Sequence, residues 1–148
     1  MVIFPVKMEV RGVGYVERCL WDYRENLASI DMMREELAGL MSVQGHDYGG
    51  SEAGGSGDPV SRVCERAMTL ERNIRKAEKM TVPITRMAEG LCGSDLRIHQ
   101  IREVLRLRYF EHEKKEMVIR TAGISEKTYY RRCSDIKRMA RKYFGEWG

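Results

Sequence analysis

Apolar residues recur at steps of three and four along two long stretches of this chain, and that spacing limits the fold more than any other feature. Between Val16 and Met41 they fall at 16, 20, 23, 27, 30, 33, 37 and 40 or 41. Such steps set every apolar side chain on one stripe of a helix, close to heptad spacing. Val60, Val63, Ala67, Leu70, Ile74 and Ala77 repeat the pattern. Only three prolines occur, at 5, 59 and 83, so most of the chain carries no helix breaker. The spacing predicts an all-α fold that begins with two long helices.

Between those helices lies "QGHDYGGSEAGGSGDP", with six glycines from Gly45 to Gly57 and almost nothing to bury. It reads as a Gly/Ser-rich loop over residues 45–58. Phosphate-cradling glycine loops need a preceding strand and a GK[ST] or GxGxxG order, and neither is present. Asp58 and Pro59 have the form of an N-cap followed by proline at the first helical position. Two narrow apolar seams around one loop predict a coiled-coil-like antiparallel hairpin over residues 16–80, or pairing with a second copy as a homodimer. Residues 1–15 form an N-terminal arm of short apolar pieces. Around Pro83 the second helix is expected to break and a short helix to follow. Ser94 or Asp95 can then cap a helix over "LRIHQIREVLRLRYF", whose apolar face offers Leu96, Ile101, Val104, Leu105 and Leu107.

Charge is unevenly spread. Residues 1–58 carry five Lys/Arg against ten Asp/Glu, whereas residues 113–148 carry ten against five. The whole chain is only +4, so the distribution matters and the total does not. A basic terminal module suits a polyanion, although a solvated charged face would look similar. Cys19, Cys64, Cys92 and Cys133 are far apart, without CxxC pairs or clustered histidines, so no metal site is expected. Three of the four fall among apolar helical positions and should behave as small hydrophobes. No apolar run approaches the ~20 residues that span a bilayer. The N-terminus lacks a basic start followed by an apolar core, so the expected setting is cytoplasmic, with no membrane partner.

The most informative stretch is "VIRTAGISEKTYY". Two helices crossing over a tight turn need a glycine at the turn, an apolar residue after it and a cap for the second helix. Gly123, Ile124 and Ser125 supply these in order, after a short helix expected from Glu113 to Arg120. Tyr129, Cys133, Ile136, Ala140 and Tyr143 then fall on one face, which should point inward. The opposite face of the first turns carries Ser125, Glu126, Lys127, Tyr130, Arg131 and Ser134, the candidates for touching base edges in a major groove. Lys114, Lys115, Thr128, Arg132, Lys137, Arg138, Arg141 and Lys142 are candidates for phosphate contacts, which give affinity without reading sequence. Residues 81–148 thus read as a helix-turn-helix domain whose partner is double-stranded DNA.

From Arg102 onward the residues Arg102, Val104, Leu105, Leu107, Arg108 and Tyr109, then Gly123, Ile124, Ser125 and Thr128, resemble region 4 of the sigma-70 family, which reads promoter DNA. Two positions depart from that pattern. A small residue is usual where Ile119 stands and a larger one where Ala122 stands, which looks like a volume-preserving exchange. Tyr129 also replaces the usual valine. Nothing resembles sigma region 2, so a complete sigma factor is not expected. The wider layout combines "YRENLASIDMMREELAGL", the linker ending in "SGDPV", "LERNIRKAEK" and the sigma-4-like unit. It is similar to phage transcriptional activators of the RinA/ArpU type. That resemblance implies a prophage regulator that switches on late genes by binding promoter DNA and engaging bacterial RNA polymerase.

Two other functions fit the same layout. A phage small terminase subunit would join a similar DNA-binding unit to oligomerisation helices and form a ring. A polymerase adaptor mimicking region 4 would bind polymerase without reading DNA. An enzyme is not expected, since the sequence has no Ser-His-Asp arrangement, paired carboxylates in an apolar setting, phosphate loop or cofactor motif.

Overall fold

The computed structural model of the chain describes residues 13–47 and 59–147. Of the arm expected over 1–15, residues 1–12 lie outside the described residues, while 13–15 belong to the first helix instead. Of the loop expected over 45–58, residues 48–58 with the Asp58 cap lie outside them, while 45–47 continue the second helix instead. All regular structure among the described residues is helical, with no strand. In chain order the elements are α1 (Val13–Trp21), α2 (Tyr23–Asp47), α3 (Pro59–Gly90), α4 (Leu96–Val104), a π-helical segment (Leu105–Phe110), α5 (Lys115–Ala122) and α6 (Glu126–Trp147). None of these helices is long and apolar enough to cross a membrane. The fold divides into two compact units, one of Asn26–Glu78 and one that joins the described residues up to Glu25 with Lys79 onward.

The Asn26–Glu78 unit is a helical hairpin. Ile30 of α2 and Leu70, Ile74 and Ala77 of α3 form its buried seam, all on the stripe expected from the spacing. Arg34 pairs with Glu78 at 2.5 Å and Arg66 with Glu36 at 2.8 Å. As residue number rises in α2 it falls in α3, the register of an antiparallel pair. Both pairs are solvent-exposed and worth little in stability, so they specify alignment more than they hold it. Two helices bury only a narrow stripe, which leaves Met32 and Met68 exposed. Cys64 is exposed for the same reason, and Cys92 is exposed in the turn between α3 and α4, so only Cys19 and Cys133 act as the buried small hydrophobes expected of three cysteines.

The other unit carries the main core, with Leu20, Ile84, Met87, Ile101, Val104, Val118, Ile136 and Ala140 at 2% exposure or less. Four sequence expectations fail here. The first helix does not run unbroken from Val16 but is divided at Asp22, although the Asp22 amide still donates to the Arg18 carbonyl at 2.8 Å. Trp21 stacks on His112 at 3.9 Å and Tyr23 on Phe110 at 4.6 Å, so the residues on either side of the division both pack on the segment ahead of α5. The Tyr23 hydroxyl also shares a 2.5 Å hydrogen bond with Thr85, and Arg108 lies 5.0 Å over the Trp21 ring.

Pro83 does not end its helix; α3 runs through it to Gly90. An internal proline forfeits a backbone hydrogen bond and costs about 3 kcal/mol. Burial of Thr81, Pro83, Ile84 and Met87 in the core offsets that loss. Leu96, expected on the apolar face of α4, is 68% exposed, because it is the first residue after the Asp95 cap and the core-facing side begins at Ile98 and Ile101. Asp95 itself accepts from the Ile98 amide at 3.2 Å. The short helix begins at Lys115 rather than Glu113. A wide turn precedes it, in which the amides of Glu111 and Glu113 donate to the Arg106 and Leu107 carbonyls and His112 takes a left-handed φ of 58°.

Arginines of the "IREVLRLRY" run serve this scaffold. Arg102 donates to the carbonyls of Leu91 and Gly93 at 3.0 and 3.3 Å, satisfying chain that leaves α3. Arg108 donates to the Glu113 carbonyl at 2.9 Å, and Arg106 is shared between Glu103 and Glu111. The imidazole of His112 donates through Nε2 to the Trp21 carbonyl at 2.7 Å, which ties α1 to the segment ahead of α5.

Candidate nucleic-acid interface

α5 and α6 meet at a single left-handed residue. Gly123 adopts φ 69° and ψ 41°, and its amide donates to the Ile119 carbonyl at 2.9 Å, closing the end of α5. The Ile124 amide donates to the same carbonyl at 3.2 Å. Left-handed backbone crowds any Cβ against the following carbonyl, so glycine is the residue that ends a helix this way without penalty. Ile124 is half-buried rather than buried. Ser125 then starts α6: its hydroxyl oxygen accepts from the Thr128 amide at 3.1 Å while its hydroxyl donates to Thr128 Oγ1 at 3.0 Å. The serine satisfies one of the amides that every helix start leaves without a partner.

α6 turns Tyr129, Cys133, Ile136 and Ala140 into the core, with Tyr143 half-buried. Burial pushes the Cys133 thiol up from its ordinary pKa and raises Tyr129 to about 12. The six residues singled out for base contact, Ser125, Glu126, Lys127, Tyr130, Arg131 and Ser134, are all exposed on one face. Tyr130 presents more than half of its surface to solvent.

Those residues are not equally free. Lys115 of α5 reaches across the turn and donates to Glu126 Oε2 at 2.9 Å and to the Tyr130 hydroxyl at 3.0 Å. These two hydrogen bonds raise the Lys115 pKa. Its ammonium also lies 5.3 Å from the centre of the Tyr130 ring, which in turn meets Tyr129 edge-on at 5.2 Å. Lys115 is therefore occupied in setting the first turn of α6.

Beside that turn the surface is concave. A groove of about 750 Å³ is lined by Arg97 of α4 and by Lys127, Tyr130, Arg131, Arg132 and Arg138 of α6, among others. Asp135 forms its floor at 6% exposure. Its Oδ1 accepts from Arg97 Nη2 at 3.0 Å and from Arg138 Nη2 at 2.8 Å, and its Oδ2 from Arg132 Nη1 at 2.6 Å. Burial alone would raise the Asp135 pKa, but hydrogen bonds from Arg97, Arg138 and Arg132 outweigh it and hold the carboxyl below its usual range. One carboxylate thus meets three guanidiniums, and the groove keeps a strong positive excess.

The phosphate candidates separate into two groups. Arg132 is largely covered, spanning Asp135 and the Gln100 side chain, and Lys137 lies 3.6 Å from Glu17. Thr128 is half-buried in the cap and Lys115 is held as described. Lys114, Arg141 and Lys142 are exposed and make no ion pair with any described residue, as is also true of Lys127 and Arg131.

Sequence reasoning missed Arg97, Gln100 and Asp135. The spacing of Arg132, Asp135 and Arg138 at steps of three was a readable signal for ion pairs on one helix face. Arg97 had no such signal, since it stands 38 residues from Asp135 and meets it only through packing of α4 on α6. Comparison of the chain with family models, with curated proteins and with solved structures found no match.

Proposed function

We propose that the chain is a sequence-specific DNA-binding regulator of transcription that lays the N-terminal half of α6 into a major groove. The observation that carries this reading is the exposed polar face of the first turns of α6, set over a glycine turn and beside a groove rich in arginine. α5 and α6 over Gly123 have the parts of a helix-turn-helix, in which the second helix presents its first residues to base edges. Arg131 and Lys127 suit guanine edges, and Glu126, steadied by Lys115, suits a cytosine amine. Lys114, Arg141 and Lys142 suit the flanking phosphates.

Resemblance to sigma region 4 and to phage activators of the RinA/ArpU type supports a promoter as the target and bacterial RNA polymerase as a second partner. On this reading the regulator acts on late genes of a prophage, within the bacterial cytoplasm and without a catalytic step of its own.

Selection from random duplex DNA, with bound fractions eluted at rising salt, tests the proposal. A short enriched sequence that survives elution is the expected result. Arg131→Ala should then relax preference at one base pair, by the ~1–3 kcal/mol a bidentate contact discriminates. Arg141→Ala should weaken specific and random DNA alike. Absence of any enriched sequence, with binding lost at moderate salt, would overturn sequence reading and favour the polymerase adaptor. A ring-shaped oligomer on packaging-site DNA would favour a terminase subunit.

A further inference from the structure

Asp135 is an odd residue to find under a surface that meets a polyanion. Its negative charge, taken alone, lowers affinity for phosphate. A plain staple between α4 and α6 would also need only one arginine, and Arg132, at 15% side-chain exposure, already bridges Asp135 and Gln100 of α4. Arg97 and Arg138 instead keep 55% and 63% of their side chains exposed while bonding the same oxygen, Oδ1. Two guanidiniums converging on one oxygen would repel each other without that carboxylate. Each spends one nitrogen on Asp135, and a guanidinium has five N–H donors in a planar fork, so both retain donors that can face the groove.

From this geometry we propose that Asp135 is a positioning residue that holds Arg97 and Arg138 as a paired clamp for one backbone phosphate of the DNA. The proposal rests on the DNA-binding reading above and adds α4 to the contact surface through Arg97. Held this way, the two side chains give up their rotamer freedom before binding, so less is lost when a phosphate arrives. Arg132 lies beneath them and takes no part in the clamp. The carboxylate lowers the net charge of the groove and raises its order, and the second effect is the larger.

The two effects have opposite signs, which makes the test sharp. Asp135→Asn adds one unit of net positive charge. Net charge alone therefore predicts tighter DNA binding and a steeper salt dependence. The clamp predicts the reverse: roughly tenfold weaker binding, as for removal of charge-assisted hydrogen bonds, and a log–log salt slope shallower by about 0.9 for each phosphate no longer neutralised. Binding of the full chain to its selected duplex would be measured from low to moderate salt, with circular dichroism to verify folding. Arg97→Gln keeps the test open should Asp135→Asn fail to fold, because Arg97 is a surface side chain. It should reduce affinity and slope similarly, and the double variant should bind no more weakly than Asp135→Asn alone. Tighter binding by Asp135→Asn, or an unchanged slope in Arg97→Gln, would overturn the clamp while leaving DNA binding intact. A wild-type chain without salt-dependent DNA binding would overturn both readings.

Discussion

Replacing Gly123 with alanine isolates one term in the energetics of the α5–α6 turn. A Cβ built at Gly123 meets nothing within 4 Å, so the substitution creates no clash with another residue. What remains is the backbone itself, at φ 69°, where an L side chain costs about 1–2 kcal/mol. Alanine also restricts the unfolded chain, which returns about 0.4–1 kcal/mol. The net expectation is a loss of about 1 kcal/mol, or roughly 2–4 °C in Tm for a chain of 148 residues. Asparagine tolerates the left-handed region better, so Gly123→Asn should lose less than Gly123→Ala. Gly145 provides the control. It lies in α6, its Cβ position is equally open, and its φ is not left-handed. There the same change to alanine should gain about 0.5 kcal/mol from helix propensity. Urea unfolding followed by circular dichroism would place the four proteins in the order Gly145→Ala, wild type, Gly123→Asn, Gly123→Ala. If Gly123→Ala matched or exceeded wild type, the turn would not need the left-handed residue, and the geometry that aims α6 would rest on something else.

Ser125→Ala should cost about 1 kcal/mol in the same assay, the usual loss for a helix N-cap, through the freed Thr128 amide. Asp135 gives a dependence on pH. Its folded pKa is depressed, so the stability it contributes is complete above its unfolded value, near pH 4, and is lost as pH falls through the lower folded value. The stability gap between wild type and Asp135→Asn should therefore stay constant from pH 7 to about 4 and close below that; a gap unchanged at pH 2 would contradict the hydrogen-bonding account. Thiol labelling should modify Cys64 and Cys92 quickly in the native chain, and Cys19 and Cys133 only after denaturant is added. Fast labelling of all four would mean that the core around α6 opens readily.

The steps of three and four between apolar residues placed the buried stripes of α2, α3 and α6, though Val60 at the start of α3 is exposed, because helix period is a local property and burial follows it. Gly123 and Ser125 were readable for the same reason: a turn and a cap are settled within a few residues. So was the exposure of the polar face of α6, since whatever is opposite a buried stripe must face outward. Pro83 marks where local reasoning ends. Its penalty is intrinsic, but the burial of Thr81, Ile84 and Met87 that overrides it depends on chain folded from elsewhere. The same limit applied to the candidate interface. Which residues carry positive charge was a matter of composition, whereas tertiary packing set which of those charges stay free. It gave Lys115 to Glu126 and Tyr130, covered Arg132, and brought Arg97 across 38 residues of chain to the carboxylate of Asp135. Ion pairs between distant residues leave no period in a sequence, so only the folded chain could decide them.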